Sequence, residues 1–285
     1  MSPDPFPKAR SMAPGRNRLV RIVVVLVVVA VLARRNRGSR DAERVDSALP
    51  TDTARYAAQV QEGLGASVAI LLDQSGSMED PPASGGKRPK YLLAREALTK
   101  VLAQTDSFVA RQPGFTVNVG LYTFDSDVLT VLPIAPYDRA GLERALAQLP
   151  VPDGNTAIGR AMERATADLY RAGTIRKYLL VVTDGENTAD RDPGEVAREI
   201  ARRSEGAVRL FLVAFDVDAE KFAFVPAVRG TVIEARDAVA LRAGLDTLYR
   251  GRILAEAVDA GETLPASSAD SSNRPGAAPT TSPKR

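Results

Sequence analysis

The chain of 285 residues contains no cysteine and no histidine. The first absence excludes a disulfide framework, a thiolate metal site and a cysteine nucleophile. The second removes the commonest general base, and with it the Ser-His and Cys-His nucleophile pairs. Metal chemistry is then left to oxygen ligands, which suit Mg²⁺, Mn²⁺ or Ca²⁺ far better than zinc or copper. A surplus of one charge is also lacking. With 38 basic and 35 acidic residues the net charge is only +3, so no bulk attraction to nucleic acid is expected. Much of the basic excess falls in the first forty residues, where it flanks an apolar run and points to a membrane. The hydrophobic fraction of 45% is ordinary and ample for one sizeable core.

Residues 1–18 are polar, with several prolines and with Lys8, Arg10, Arg16 and Arg18, and read as a basic disordered N-terminus. From Leu19 to Ala33 every residue except Arg21 is apolar. A bilayer core asks for roughly 20 helical residues, so a transmembrane anchor over residues 19–35 requires the flanking arginines to snorkel toward the headgroups. The same run fits a cleaved secretory signal or a buried core segment. Against cleavage, Arg34, Arg35 and Arg37 follow directly. Basic residues on both sides leave the orientation open under the positive-inside rule. Residues 36–62 read as a polar stalk with room for one short helix. The tail over residues 259–285 is dominated by Pro, Ser, Ala and Thr and reads as disordered.

Between these flanks, over residues 63–258, strand and helix patterns alternate. Ser67 to Leu72, Tyr178 to Val182 and Val208 to Phe215 are apolar runs of strand length, as expected of a buried parallel sheet. Thr116 to Phe124 and Val128 to Ile134 read as a strand pair joined by a tight turn at Asp125-Ser126-Asp127. Gly230 to Ala235 is a further strand. Helical spacing recurs from Tyr91 to Leu102, from Ile158 to Leu169, after Pro193 and from Leu241 to Leu248. The expected fold is α/β and doubly wound: a mostly parallel central sheet with one antiparallel edge strand and helices on both faces, preceded by the N-terminal transmembrane helix.

In such sheets ligands bind where loops leave the carboxyl ends of the strands, and three segments place oxygen-bearing residues there. Asp73-Gln74-Ser75-Gly76-Ser77 follows the first strand, Gly154-Asn155-Thr156 opens a helix, and Thr183-Asp184-Gly185 follows a buried strand. Asp73, Ser75 and Ser77 lie two apart around a glycine, so one curling loop can turn all three oxygens inward. With Thr156 and Asp184 they make a hard, weakly charged shell for Mg²⁺, Mn²⁺ or Ca²⁺, able to leave a position open for an outside carboxylate. Each piece also has a plainer reading, as a turn for the first and third segments and as a helix N-cap for Thr156. Asp216, Asp218 and Glu220 either border the ligand face or, more plainly, form a helix cap and first turn. The polar insert from Glu79 to Lys90 is either a rim loop or a neutral insertion. Gly154 to Ala161 has P-loop glycine spacing, but Arg160 and Ala161 stand where Lys and Ser/Thr are needed.

Taken together, the three segments resemble the metal-ion-dependent adhesion site of von Willebrand factor A domains, over about residues 65 to 252. The resemblance implies direct ligation by Ser75 and Ser77. It places Asp73 and Asp184 in or just behind the first shell and lets Thr156 alternate between direct and water-mediated contact. Membrane-tethered bacterial members of the family are similar in layout. The expected function is a non-enzymatic one: a single-pass membrane protein whose domain, on the extracytoplasmic side, grips an Asp or Glu of a partner protein through Mg²⁺. A secreted or periplasmic product after signal cleavage, a metal-dependent hydrolase using Glu79, Asp80 or Glu186, and a structural or chaperone-like accessory of a membrane complex are the competing expectations.

Overall fold

A computed structural model of the protein describes residues 55–255 apart from 190. The anchor expected at residues 19–35, the expected tails and most of the expected stalk lie outside the described residues. Among the described residues no helix is long and apolar enough to cross a membrane.

Six strands form one sheet in the order β3-β2-β1-β4-β5-β6. They are β1 (Gly63–Asp73), β2 (Thr116–Phe124), β3 (Val128–Pro136), β4 (Thr174–Thr183), β5 (Val208–Phe215) and β6 (Thr231–Ala235). All neighbours pair in parallel except β2 and β3, whose antiparallel pairing makes β3 the edge. The central strands are buried on both faces, which is why their sequences run apolar without a polar alternation. Val68, Ile70 and Leu72 of β1 point into one core and Ala69 and Leu71 into the other.

Helices α1 (Lys90–Leu102), α2 (Gln104–Arg111), α3 (Arg139–Ala147) and α6 (Ala238–Leu248) cover the first face. Helices α4 (Ile158–Leu169) and α5 (Pro193–Arg203) cover the second. The chain therefore leaves β1 toward one face and β4 toward the other. A crevice opens between two such neighbouring strands at their carboxyl ends, the topological switch point. Helices α2 and α3 are missing from the sequence reading. Each is short and buries only two side chains, Thr105 and Phe108 in α2 and Leu142 and Leu146 in α3, too few to set a visible period. The strand pair with its turn at Asp125 to Asp127, and Pro193 as the first residue of α5, agree with the sequence reading.

The short helix expected before residue 62 is absent from residues 55–62, which run as irregular chain along the domain. Tyr56 stacks on Tyr170 with ring centroids 4.9 Å apart and lies under the Arg203 guanidinium. Glu62 pairs with buried Lys177. Backbone bonds from Tyr56 and Gln59 to Arg203 and Tyr170 use up hydrogen bonds that a helix would need.

Ile70 on the central strand is fully buried while Leu129 on the edge strand is 59% exposed. Ile70→Ala is expected to lower unfolding free energy by about 2–5 kcal/mol, and Leu129→Ala to change it by no more than about 0.5 kcal/mol. Denaturant melts of the two variants check the contrast, and equal effects would contradict this core.

Candidate metal site

Parallel pairing of β1 with β4 sets Leu72 beside Val182, so the next residues, Asp73 and Thr183, meet at the mouth of the crevice. Asp73 is completely buried. Its Oδ1 accepts the Ser75 amide at 2.7 Å and its Oδ2 the Thr183 hydroxyl at 2.5 Å. Burial pushes its carboxyl up to about 6, against the pull of the Ser75 and Thr183 hydrogen bonds, and the nearby Asp184 charge adds to the rise.

The loop after β1 is stitched to the loop that carries Thr156. Asp153 donates its amide to the Gln74 carbonyl at 2.9 Å, and Gly76 donates to the Gly154 carbonyl at 3.1 Å. Gly154 itself sits at φ +86°, and a Cβ there would come within 2.8 Å of Ser126 Oγ. Glycine is required on both counts.

Thr156 is buried and does not cap the helix it precedes. Helix α4 begins at Ile158 with Ala157 as its first flanking residue, and the Ile158 amide is taken by Asn187 Oδ1 at 2.8 Å. Thr156 is instead clamped through its backbone. Its amide donates to Thr188 Oγ1 at 2.9 Å, and its carbonyl accepts from Thr188 and Ala189. The loop after β4 thus holds the loop before α4. Nothing in the sequence marked Asn187 and Thr188, because polar residues in a polar loop carry no spacing signal.

Asp184 brings the pieces together. Its Oδ1 accepts the Ser77 hydroxyl at 2.8 Å, and Ser75 Oγ lies 3.3 Å from Ser77 Oγ. A Cβ placed on neighbouring Gly185 would sit 3.7 Å from Thr156 Oγ1 and 3.9 Å from Ser77 Oγ, so those two hydroxyls flank one point. The five residues named from sequence are therefore gathered at one crevice, four of them buried and Ser77 open to solvent. Among the described residues no group of three or more acids is placed to hold a metal ion, so any cation here would depend on hydroxyls.

Asp184 Oδ2 is buried and accepts from no hydroxyl or amide among the described residues. The Lys90 ammonium, at the first residue of α1, stands 2.7 Å from it instead and 3.6 Å from Asp216 Oδ2. Asp216, read from sequence as part of a helix cap, does not cap a helix. It closes β5 at φ +59° and accepts the Ala83 amide at 2.9 Å. The polar insert is thereby tied across the crevice, and Lys90 and Asp216 join the site, Asp216 on the ligand face that was its alternative reading and Lys90 at the end of the rim loop.

The sequence profile of the von Willebrand factor type A domain matches residues 67–232, more than half of the chain. The chain belongs to the von Willebrand factor type A family. Among curated proteins it is 36% identical to Protein NorD of Brucella melitensis in an alignment of 115 residues that covers 38% of this chain and 18% of NorD. This von Willebrand factor type A chain thus matches less than a fifth of that relative's length. BatB from Bacteroides thetaiotaomicron aligns over 67% of this chain and 100% of its own, with a TM-score of 0.53 at 19% identity. The PilB minor pilin from Streptococcus sanguinis aligns over 69% of this chain and 63% of its own, at 0.55 and 13%. At such identities the likeness speaks for the fold alone.

Since folding raises the Asp73 carboxyl from 3.8 to about 6, its contribution to stability is complete below pH of about 4 and is lost as the pH rises through about 6. In EDTA, Asp73→Asn is expected to gain stability relative to wild type as the pH rises from about 4, by on the order of 3 kcal/mol above pH 7. Denaturant titrations at several pH values measure this, and a difference independent of pH would contradict it.

Proposed function

We propose that the domain binds a partner protein through a divalent ion held by Asp73, Ser75, Ser77, Thr156 and Asp184, the adhesion-site arrangement of its family. The observation that carries the reading is the gathering of two buried carboxylates, Asp73 and Asp184, with the hydroxyls of Ser75, Ser77 and Thr156, of which Ser77 and Thr156 flank one point. Hard oxygen donors with two carboxylates fit Mg²⁺ best, with Mn²⁺ or Ca²⁺ as alternatives. An ion bound there supplies a point charge with room for one further anionic oxygen, and the chemistry that matches it is an Asp or Glu on the partner.

Exposed Ser77 at the lip of the crevice supports access by a macromolecule rather than a small enclosed substrate. Binding without turnover is the reading favoured by the residues nearby. With no histidine or cysteine in the chain, a hydrolase would need Glu79, Asp80 or Glu186 as base. All three are exposed, and Glu186 is paired with Lys221 at 2.9 Å. The apolar run from Leu19 to Ala33 supports tethering to a membrane.

The test is capture of partners by the full chain from its own cells, in Mg²⁺ and in EDTA. A partner retained in Mg²⁺ and lost in EDTA is expected, with Asp184→Asn lowering Mg²⁺ affinity in calorimetry by about 10- to 100-fold. Capture indifferent to EDTA, or turnover of a phosphoester panel with Mn²⁺, would replace this reading with another.

A further inference from the structure

Lys90 is the buried group that the five oxygens do not account for. An ammonium is almost never taken out of water unless it is paired, yet Lys90 is only 7% exposed. Its position follows from the insert. The Lys90 amide donates to the Asp80 carbonyl at 2.9 Å, which closes the loop after Ser77 and starts α1 over the carboxyl ends of β4 and β5. From there Nζ reaches Asp184 Oδ2 at 2.7 Å and Asp216 Oδ2 at 3.6 Å.

Asp216 is held to face it. Left-handed backbone at φ +59° is uncommon for a residue other than glycine. It is fixed here by the Asp216 amide on the Ala235 carbonyl at 2.7 Å and by the Ala83 amide on Asp216 Oδ2. One ammonium thus lies between two carboxylates, one belonging to the five-oxygen site and the other outside it.

We propose that Lys90 is a built-in counter-cation of the metal site, a residue that sets how tightly the site takes a divalent ion. It holds Asp184 when no ion is bound and transfers to Asp216 when one arrives. This rests on the metal reading of the five oxygens. Buried Asp184 and partly buried Asp216 repel each other with no cation between them, and Lys90 relieves that in the metal-free protein. The same positive charge opposes a divalent ion a few ångströms away in a medium of low dielectric, so affinity is held below what the oxygens alone would give. A purely structural strut makes the opposite forecast, since removing a strut would loosen Asp184 and weaken metal binding.

Mn²⁺ binding by the full chain in detergent, followed by calorimetry and by the loss of the free-ion electron paramagnetic resonance signal, separates the two roles. Lys90→Gln and Lys90→Met are both neutral, and the first keeps a hydrogen bond to Asp184. Each is expected to bind Mn²⁺ at least about tenfold more tightly than wild type. Each should also melt at a lower temperature in EDTA and near the wild-type temperature when loaded. Lys90→Arg keeps the charge and should stay within about threefold of wild type. If a neutral variant folds only with metal, its Mn²⁺ affinity is read from melting temperature against Mn²⁺ concentration. Unchanged or weaker binding by the neutral variants, with wild type binding normally, overturns the role of Lys90 alone. No Mn²⁺ binding by wild type or any variant overturns the metal site, and this role with it.

Discussion

The parallel pairing of β1 with β4 is the constraint from which the rest of the site follows. It brings the last residue of β1, Asp73, alongside the last residue of β4, Thr183, and the Thr183 hydroxyl locks the carboxylate. A slip of one residue would exchange the faces of every side chain on the strand. Val68, Ile70 and Leu72 would then trade cores with Ala69 and Leu71, whose volumes do not match. Register is thus enforced by two packed cores at once, and the position of Asp73 is inherited from apolar packing far from any polar chemistry. Because Asp73 is fully buried, water cannot stand in for the Thr183 hydroxyl and Ser75 amide that hold it.

Around this fixed carboxylate the three loops hold one another rather than resting separately on the sheet. Backbone bonds from Asp153 and Gly76 tie the first loop to the second, and Asn187 and Thr188 tie the third to the second. Such mutual support suits a binding site, since hydroxyl ligands contribute little each and only a pre-ordered set avoids ordering entropy on binding. It also explains why Thr156 is not spent on capping α4. Asn187 takes the Ile158 amide, so the threonine hydroxyl stays turned toward Ser77.

What could be read in advance divides along physical lines. Strands β1, β4 and β5 were legible because burial on both faces leaves largely apolar runs between turn residues, and β2 because it alternates and runs into the tight turn at Asp125. The five oxygen residues were legible because their spacing is local within each loop and each loop follows or opens a recognisable element. Lys90 was not, since a lysine at the end of the polar insert from Glu79 looks solvated, and only the return of the chain over β4 and β5 buries it. Asp216 was read first as a cap, and only second as part of the ligand face, for a related reason. An acid after a strand and before a helical turn has the composition of a cap, while its left-handed backbone and its contact with Ala83 depend on segments far away in sequence. Helices α2 and α3 were missed because packing, not periodicity, makes them.

Charge gives the site its character. Ser75, Ser77 and Thr156 contribute no charge, so the balance is struck among Asp73, Asp184, Asp216 and the one ammonium of Lys90. An ion held with Asp73 and Asp184, as proposed, would be neutralised by them, and Lys90 would be balanced by Asp216, so the filled site would be close to neutral as a whole. The attraction for a partner's carboxylate would then come from the ion's open coordination position rather than from a surplus of positive charge. A more acidic shell would hold its ion more firmly and leave it less able to draw an acidic partner.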